Sequence, residues 1–307
     1  MPWSGPIENL IVHDEPSLRS PILVAAFAGW PDAHEAASRA VRFLVRRLPA
    51  RKFAEIDAEE FYVFTRMRPV VQVSTEGKRT IHWPRNNFYS WYDDAGDHDL
   101  ILFSGTEPQL RWKAYMEAIL EVVRRHKVQL VITVGSLLDA VPHTRAPRIT
   151  GTANAEHLSE VLEDRPPTRT GYQGPTGIGT ALIDACRRRG VAYATLWGHS
   201  PHYLQTSSNV RVTDALLRRL VPLLELPVSL QEMAGASQAF ETQVEQLLAD
   251  NAEIRSYVRR LEERYDDALD PEENESPTDL PTAQVAIEEI EEFLRRQHPE
   301  ESAGDPP

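Results

Sequence analysis

The most regular pattern in the chain is a set of short, mostly apolar runs, each followed directly by glycine. Such runs lie at Ile22–Ala28 and at residues 100–104, 128–134 and 191–197. They are too short for helices and too continuous for strands with one face in water. They therefore predict parallel strands covered on both faces, with Gly135 ending the third.

Between these runs, apolar residues recur every three or four positions, as on one face of a helix. Asp32 and Glu35 have the spacing of a capping box before the first helix. Thr106 is expected to cap the second, with Pro108 in its first turn. The predicted helices cover residues 36–48, 108–126, 178–189 and 210–224. The alternation predicts an α/β fold with a mixed, largely parallel sheet flanked by helices.

One region departs from this alternation. Short β-type segments at residues 70–74, 80–83 and 88–91 surround the turn-forming pair Glu76 and Gly77. A glycine turn between short strands predicts an antiparallel excursion.

A different periodicity begins after residue 230. From Met233 to Tyr265 selected positions step by four and three, which is a heptad pattern with polar members at Ser237 and Asn251. This C-terminal helical extension has two alternatives: it folds back on its own body as a helical hairpin, or it joins a neighbouring chain. The candidate oligomer or partner residues are Phe240, Val244, Leu247, Ile254, Val258 and Leu261.

Charge supports a division into a body and an extension. Residues 1–230 hold 27 Lys and Arg against 25 Asp and Glu, whereas residues 231–307 hold 6 against 21. We predict an α/β core at 1–230, an acidic helical extension at 231–300 and a disordered tail at 301–307. No basic stripe with interleaved aromatics appears, which argues against nucleic acid as a partner.

The expected location is the cytoplasm. A single cysteine, Cys186, cannot form an internal disulfide, as is usual in a reducing compartment. The first ten residues lack the pattern of a signal peptide, and the longest apolar run near the start is far shorter than a membrane-spanning helix. We expect no membrane partner.

Polar residues follow the ends of the four predicted buried strands. If the strands are parallel, these residues gather at one edge of the sheet, where ligands of open α/β sheets bind. They could transfer protons, or they could simply satisfy loop groups and one another. No metal-binding or complete nucleophile motif is present, so we expect no metal and no cofactor. The candidate site residues are Asp32, Glu107, Asp139, His143, Arg145, His199 and His202.

The order of several segments resembles the proteasome assembly chaperone 2 family in its actinobacterial form. The segments are FAGWPDAHEAA (27–37), GTEPQLRW (105–112), TVGSLLDAVPHTR (133–145), ITGTA (149–153), YQGPTGI (172–178) and WGHSPHY (197–203). The resemblance implies a phosphorylase/hydrolase-like α/β core and a homo-oligomer, with a trimer as one candidate state. It also implies proteasome core subunits as candidate partners.

One departure from the family concerns docking. Archaeal and eukaryotic relatives can use a C-terminal motif of a hydrophobic residue, a tyrosine and any residue to enter the proteasome α ring. The sequence given ends Ala303, Gly304, Asp305, Pro306, Pro307. The heptad segment is therefore the better candidate contact surface.

Two functions follow from these observations. The family likeness and the heptad segment favour a protein-binding or assembly factor over an enzyme. The alternative is a small-ligand binder, or a hydrolase- or phosphorylase-like enzyme, that uses the strand-end loops.

Overall fold

The computed structural model describes residues 8–154, 174–249 and 251–267. Its main sheet has eight strands, β1 (Leu10–Val12), β2 (Ile22–Ala28), β3 (Arg51–Ile56), β6 (Asn87–Trp91), β7 (Leu100–Thr106), β8 (Leu130–Asp139), β9 (Ile149–Ala153) and β10 (Ala192–Pro201). Their order across the sheet is β1-β3-β6-β7-β2-β8-β10-β9. A separate two-stranded sheet is formed by β4 (Val70–Val73) and β5 (Arg79–His82).

The centre of the main sheet is parallel. Strand β2 pairs in parallel with β7 and β8, and β8 pairs in parallel with β10. The remaining strands pair antiparallel at both sides. The five inner residues of β2 are buried, which confirms that its apolar run is covered on both faces. The mixed α/β fold predicted from the alternating pattern is confirmed.

Helices cover the two faces of the sheet. Helices α1 (Ala36–Arg47) and α4 (Val210–Leu223) pack against one face. Helices α2 (Trp112–Arg125) and α3 (Ile178–Arg188) pack against the other. Cys186 lies in the apolar core between the sheet and helices α2 and α3. Burial there raises the pKa of its thiol to about 11.

The prediction that Gly135 ends its strand was wrong. Strand β8 continues through Gly135 to Asp139, and β10 likewise continues through Gly198 to Pro201. A Cβ atom at Gly135 would lie 2.6 Å from Cζ3 of Trp197. Glycine here allows close packing between neighbouring strands and does not mark a turn.

Two helices do not begin in the way that the sequence predicts. Thr106 belongs to strand β7, and α2 begins only at Trp112, after Arg111 in the left-handed conformation. Thr106 and Pro108 therefore do not begin the helix. Asp32 accepts from the backbone N–H groups of Ala37 and Ser38, as a cap would, but Glu35 instead pairs with Arg42. The reciprocal half of the capping box is not formed.

The C-terminal extension contains two helices, α5 (Gln231–Leu248) and α6 (Ala252–Asp267). Asn251 caps α6, because its side-chain oxygen accepts the backbone N–H of Ile254 at 3.1 Å. The chain therefore turns within the heptad pattern. We call α5 and α6 together the helical hairpin; it folds back onto Tyr203 and Leu204 of its own body.

Several predicted segments lie outside the described residues. The sequence also predicts helices at 154–163 and 283–296 and an acidic, proline-containing linker at 266–279. Residues 155–163, 268–279 and 283–296 and the predicted tail at 301–307 are outside the described part of the chain. Among the helices that are described, none has both the length and the apolar character needed to cross a bilayer.

Candidate functional site

The parallel strands bring their carboxyl ends to a single edge of the sheet. Asp32 and Glu107 follow β2 and β7, and Asp139 and His199 lie near the ends of β8 and β10. His202 follows directly after β10. His143 and Arg145 lie in the loop between β8 and β9, residues 140–148, which we call the β8–β9 loop. Hydrogen bonds join Asp139 directly to His199 and His202, whereas Asp32 and Glu107 have other partners.

Asp139, His199 and Thr150 are connected by two successive hydrogen bonds, which we call the relay. Asp139 Oδ2 lies 2.7 Å from His199 Nδ1, and His199 Nε2 lies 2.9 Å from Thr150 Oγ1. A carboxylate can only accept, so Nδ1 carries a proton, and in the neutral form of the ring Nε2 can accept from the threonine hydroxyl. Burial raises the pKa of Asp139, but the hydrogen bond and charge of His199 outweigh it and hold that pKa below its ordinary value.

His202 connects the same strand end to the helical hairpin. Its Nδ1 donates to the backbone carbonyl of Asp139 at 2.9 Å, because a carbonyl oxygen can only accept. When the ring is neutral, its Nε2 can accept from the hydroxyl of Tyr257 in α6, at 3.1 Å. A neutral His202 satisfies both contacts at once.

His143 pairs with Tyr203. The tyrosine oxygen accepts the backbone N–H of His143 at 2.7 Å and lies 2.6 Å from its Nδ1, to which it can donate. Burial, together with the positive charge of Arg211, lowers the pKa of His143. The structure therefore favours a neutral imidazole at this position.

Arg145 holds the β8–β9 loop against α6. Its guanidinium donates to both carboxylate oxygens of Asp266, at 2.9 and 2.6 Å. Thr144 donates to Glu262, and the hydroxyl of Tyr265 donates to the carbonyl of Ala146 at 2.9 Å. The loop that follows β8 is thus fixed mainly by the helical hairpin.

Glu107 lies at a different part of the edge. Its Oε1 accepts the backbone N–H of Ile178, at the start of α3, at 2.9 Å. A Cβ atom at Gly177 would lie within 3.4 Å of Trp30, Pro31 and Glu107, so three separate segments meet closely here. Burial raises the pKa of Glu107, against the opposing effect of its backbone hydrogen bonds.

Asp32 has a structural environment. Besides capping α1, its Oδ1 accepts from the hydroxyl of Ser136 at 3.1 Å, which ties the turn after β2 to strand β8. Burial raises the pKa of Asp32, and its hydrogen bonds oppose that shift only in part.

Metal binding gains no support from this geometry. Within residues 8–154, 174–249 and 251–267, no group of three or more His, Cys, Asp or Glu side chains is placed to hold a metal ion. The two nitrogens of His199 and those of His202 already have protein partners.

The comparison with protein families decides the identity of the fold. The PAC2 family model matches residues 26–248, which include most of the sheet, the candidate site and helix α5. The chain belongs to the PAC2 family. A search of curated proteins found no match.

Solved PAC2 structures from actinobacteria resemble the chain over most of its length. A PAC2 family protein from Streptomyces avermitilis is 36% identical, with a TM-score of 0.69, covering 78% of this chain and 99% of that one. A proteasome-assembly chaperone homologue from Mycobacterium tuberculosis is 33% identical, with a TM-score of 0.69, covering 77% and 99%. PbaB, an archaeal proteasome activator from Pyrococcus furiosus, shares the fold at 19% identity, a TM-score of 0.62 and coverage of 78% and 97%.

Sequence reasoning missed several residues of this PAC2 site. Thr150 lies in β9, which the apolar runs do not predict because ITGTA contains no such run. Tyr203 and Tyr257 were missed as histidine partners because hydrogen bonds between segments far apart in sequence leave no local pattern. The alternation of ITGTA was a usable signal, since Thr150 and Thr152 fall on one face of a strand.

Proposed function

We propose that this PAC2 protein is a protein-binding assembly factor that acts in the cytoplasm as a homo-oligomer, with proteasome core subunits as its partners. The observation that carries the proposal is the M. tuberculosis relative described as a proteasome-assembly chaperone homologue, 99% of which is covered at 33% identity. The fold shared with PbaB is consistent with it.

The helical hairpin supplies the contact surface in this proposal. Val244, Val258 and Leu261 are buried against Tyr203 and Leu204, with Phe240 and Ile254 packed beside them. Leu247 alone of the six heptad candidates points outward, with 80% of its surface exposed. The outward face of α5 around Leu247 is therefore the part of the heptad pattern that remains for another chain.

Reconstituted assembly provides the direct test. Proteasome α and β subunits from the same host would be mixed with and without this protein, and core-particle formation followed by native mass spectrometry. We expect faster formation and an intermediate that contains this protein. An unchanged rate, with no subunit recovered alongside the tagged protein from its host, would count against the proposal.

The oligomer can be tested separately through Leu247. A Leu247→Glu substitution should reduce the mass measured by light scattering, because it places a charge in an apolar contact. Gln238→Glu is the matched control, since it adds the same charge at an exposed position on the other side of α5. A mass that is equal in both variants would remove Leu247 from the interface.

The Asp139–His199–Thr150 relay favours a second candidate function, ester hydrolysis. In that reaction His199 Nε2 would take the proton of Thr150 Oγ1 as the hydroxyl oxygen bonds to the ester carbonyl carbon. The imidazolium would return this proton to the departing alcohol, and water would then hydrolyse the threonyl ester. Asp139 would keep His199 in the required tautomer, as the 2.7 Å hydrogen bond already does.

Substitution in the relay distinguishes this candidate from a structural role. With p-nitrophenyl acetate, Thr150→Val, His199→Gln and Asp139→Asn should each abolish turnover, whereas Thr150→Ser should retain it. Wild-type hydrolysis no faster than buffer, or hydrolysis that survives Thr150→Val, would exclude the enzyme and leave the assembly proposal untouched.

A further inference from the structure

Strands β4 and β5, which we call the β-ribbon, have one apolar and one polar face. Val71 lies directly across from Ile81, and Val73 across from Arg79. Because side chains alternate between faces, Trp83 falls on the same side as Ile81. The other face pairs Gln72 with Thr80 and Val70 with His82.

The apolar face is open to solvent. Val71, Val73 and Ile81 are 55%, 60% and 56% exposed, and Trp83 is 48% exposed. The two strands form a sheet of their own and are not joined to the eight-stranded sheet. A two-stranded ribbon is marginally stable in water unless a third strand or a helix packs against it, so this face lacks the cover that such a ribbon needs.

The base of the β-ribbon is fixed at the same edge as the candidate site. The ring of Trp83 packs edge-on against Phe64, with 4.8 Å between the centroids. Asn86 accepts the backbone N–H of Thr106 at 3.0 Å, and Tyr62 donates to the carbonyl of Thr106 at 2.7 Å. The ribbon therefore projects from the carboxyl end of β7.

The β-ribbon and its base are basic. Residues 66–85 contain five Lys and Arg and a single acidic residue, Glu76. Within the described part of the chain, Lys78 and Arg79 form no ion pair. Other exposed basic residues do: Arg187 and Arg188, for example, both pair with Asp184. The exposed apolar face is thus bordered by uncompensated positive charge, which favours an acidic, amphipathic occupant.

The chain itself contains a segment of this kind. Residues 268–294 carry nine Asp and Glu and no Lys or Arg. Within them, Ala286, Ile290, Phe293 and Leu294 have the spacing of one helix face, and Glu288, Glu289, Glu291 and Glu292 lie between. We propose that residues 283–294 dock as an amphipathic helix on the apolar face of the β-ribbon of the same chain.

The connection is long enough for this docking. Strands β7 and β8 are separated by one strand, so the ribbon base and the β8–β9 loop start roughly 10 Å apart. Helix α6 ends at Asp267 beside that loop, where Asp266 pairs with Arg145. The fifteen intervening residues, 268–282, can span roughly 50 Å when extended. The docking does not depend on whether the protein assembles proteasomes.

Amide hydrogen exchange on the full-length protein tests the docking from both sides. In the wild type, amides of residues 283–294 should exchange roughly tenfold more slowly than in a synthetic peptide of residues 281–297. Val71→Ser with Ile81→Ser should remove that protection. Ile290→Ser with Phe293→Ser should accelerate exchange in Val70–Val73 and Arg79–His82.

The matched control alters the polar face of the same ribbon. Gln72→Ser with Thr80→Ser should leave the protection of residues 283–294 unchanged, and exchange in β7 should be equal in all variants. Protection should also be unchanged on tenfold dilution. Absent protection in the wild type, equal effects of the two ribbon variants, or protection lost on dilution would each overturn the proposal, the last by showing that a second copy supplies the cover.

Discussion

Individual glycines determine how far the central strands extend. Gly198 lies in β10 against helix α4, and an added Cβ would collide with Cγ1 of Val212 and lie 3.3 Å from Leu216. In the sequence, a glycine inside a strand and a glycine in a turn look alike, so such glycines predict turns. Glycine is needed at this position because Val212 of α4, fourteen residues later in the chain, occupies the space of a side chain.

A pair of alanine substitutions tests this interpretation. Gly198→Ala should lower the free energy of unfolding by about 1–3 kcal/mol, since the new methyl group forces α4 away from the sheet. Gly235→Ala lies within helix α5, where nothing approaches within 4 Å of the added Cβ. It should raise that free energy by about 0.5–1 kcal/mol through helix propensity. Urea denaturation measures both, and a destabilising Gly235→Ala would contradict this account.

At the level of elements, the apolar runs located β2, β7, β8 and β10 and the helices between them. They missed β3, whose sequence RKFAEI mixes charged and apolar residues. The heptad pattern could not reveal the turn between α5 and α6, because two helices packed on one body preserve the same steps of three and four. Asn251, which looked like a polar seam residue, is the cap where the second helix begins.

The helical hairpin gives a matched pair of leucines. Leu261 is almost completely buried beside Tyr203, whereas Leu247 is largely exposed. Leu261→Ala should cost about 2–4 kcal/mol of unfolding free energy, because it leaves a cavity. Leu247→Ala should cost less than about 0.5 kcal/mol in the monomer. Thermal denaturation at low concentration separates the two, and similar losses would mean that Leu247 is also buried.

At the scale of the whole molecule, the parallel-strand rule predicted where the candidate residues gather, although not which of them touch. It could not show that the β8–β9 loop is held by residues more than a hundred positions away, such as Glu262 and Asp266. Nor could it decide between the two roles that the sequence predicts for Asp32, a helix cap and a site residue, because both place a carboxylate after a buried strand. Burial and hydrogen-bond partners distinguish these uses, and both require the folded chain.

Three histidines in different parts of the fold predict acid sensitivity. Burial lowers the pKa of His34, His126 and His143 below the ordinary value near 6.5. The unfolded chain therefore binds protons first as the pH falls, so stability should decrease below about pH 6.5. The melting temperature measured from pH 7.5 to 5 should fall, and less steeply in the His34→Gln, His126→Gln, His143→Gln variant.

The triple histidine variant serves as a reference because two carboxyl groups also make stability depend on pH. Burial raises the pKa of Asp32 and Glu107, so their contribution to stability decreases as the pH rises through their titration. This slope is opposite to that of the histidines. If the triple variant and the wild type show the same pH profile, the histidines do not cause the acid sensitivity.

The position of Cys186 has a practical consequence. It is the one cysteine in the sequence, it lies in the core, and its thiol stays protonated at neutral pH, so it reacts slowly with maleimides and iodoacetamide. A cysteine introduced on the surface would therefore carry a fluorophore or spin label without background from the native thiol. The wild-type chain is already a template for single-site labelling.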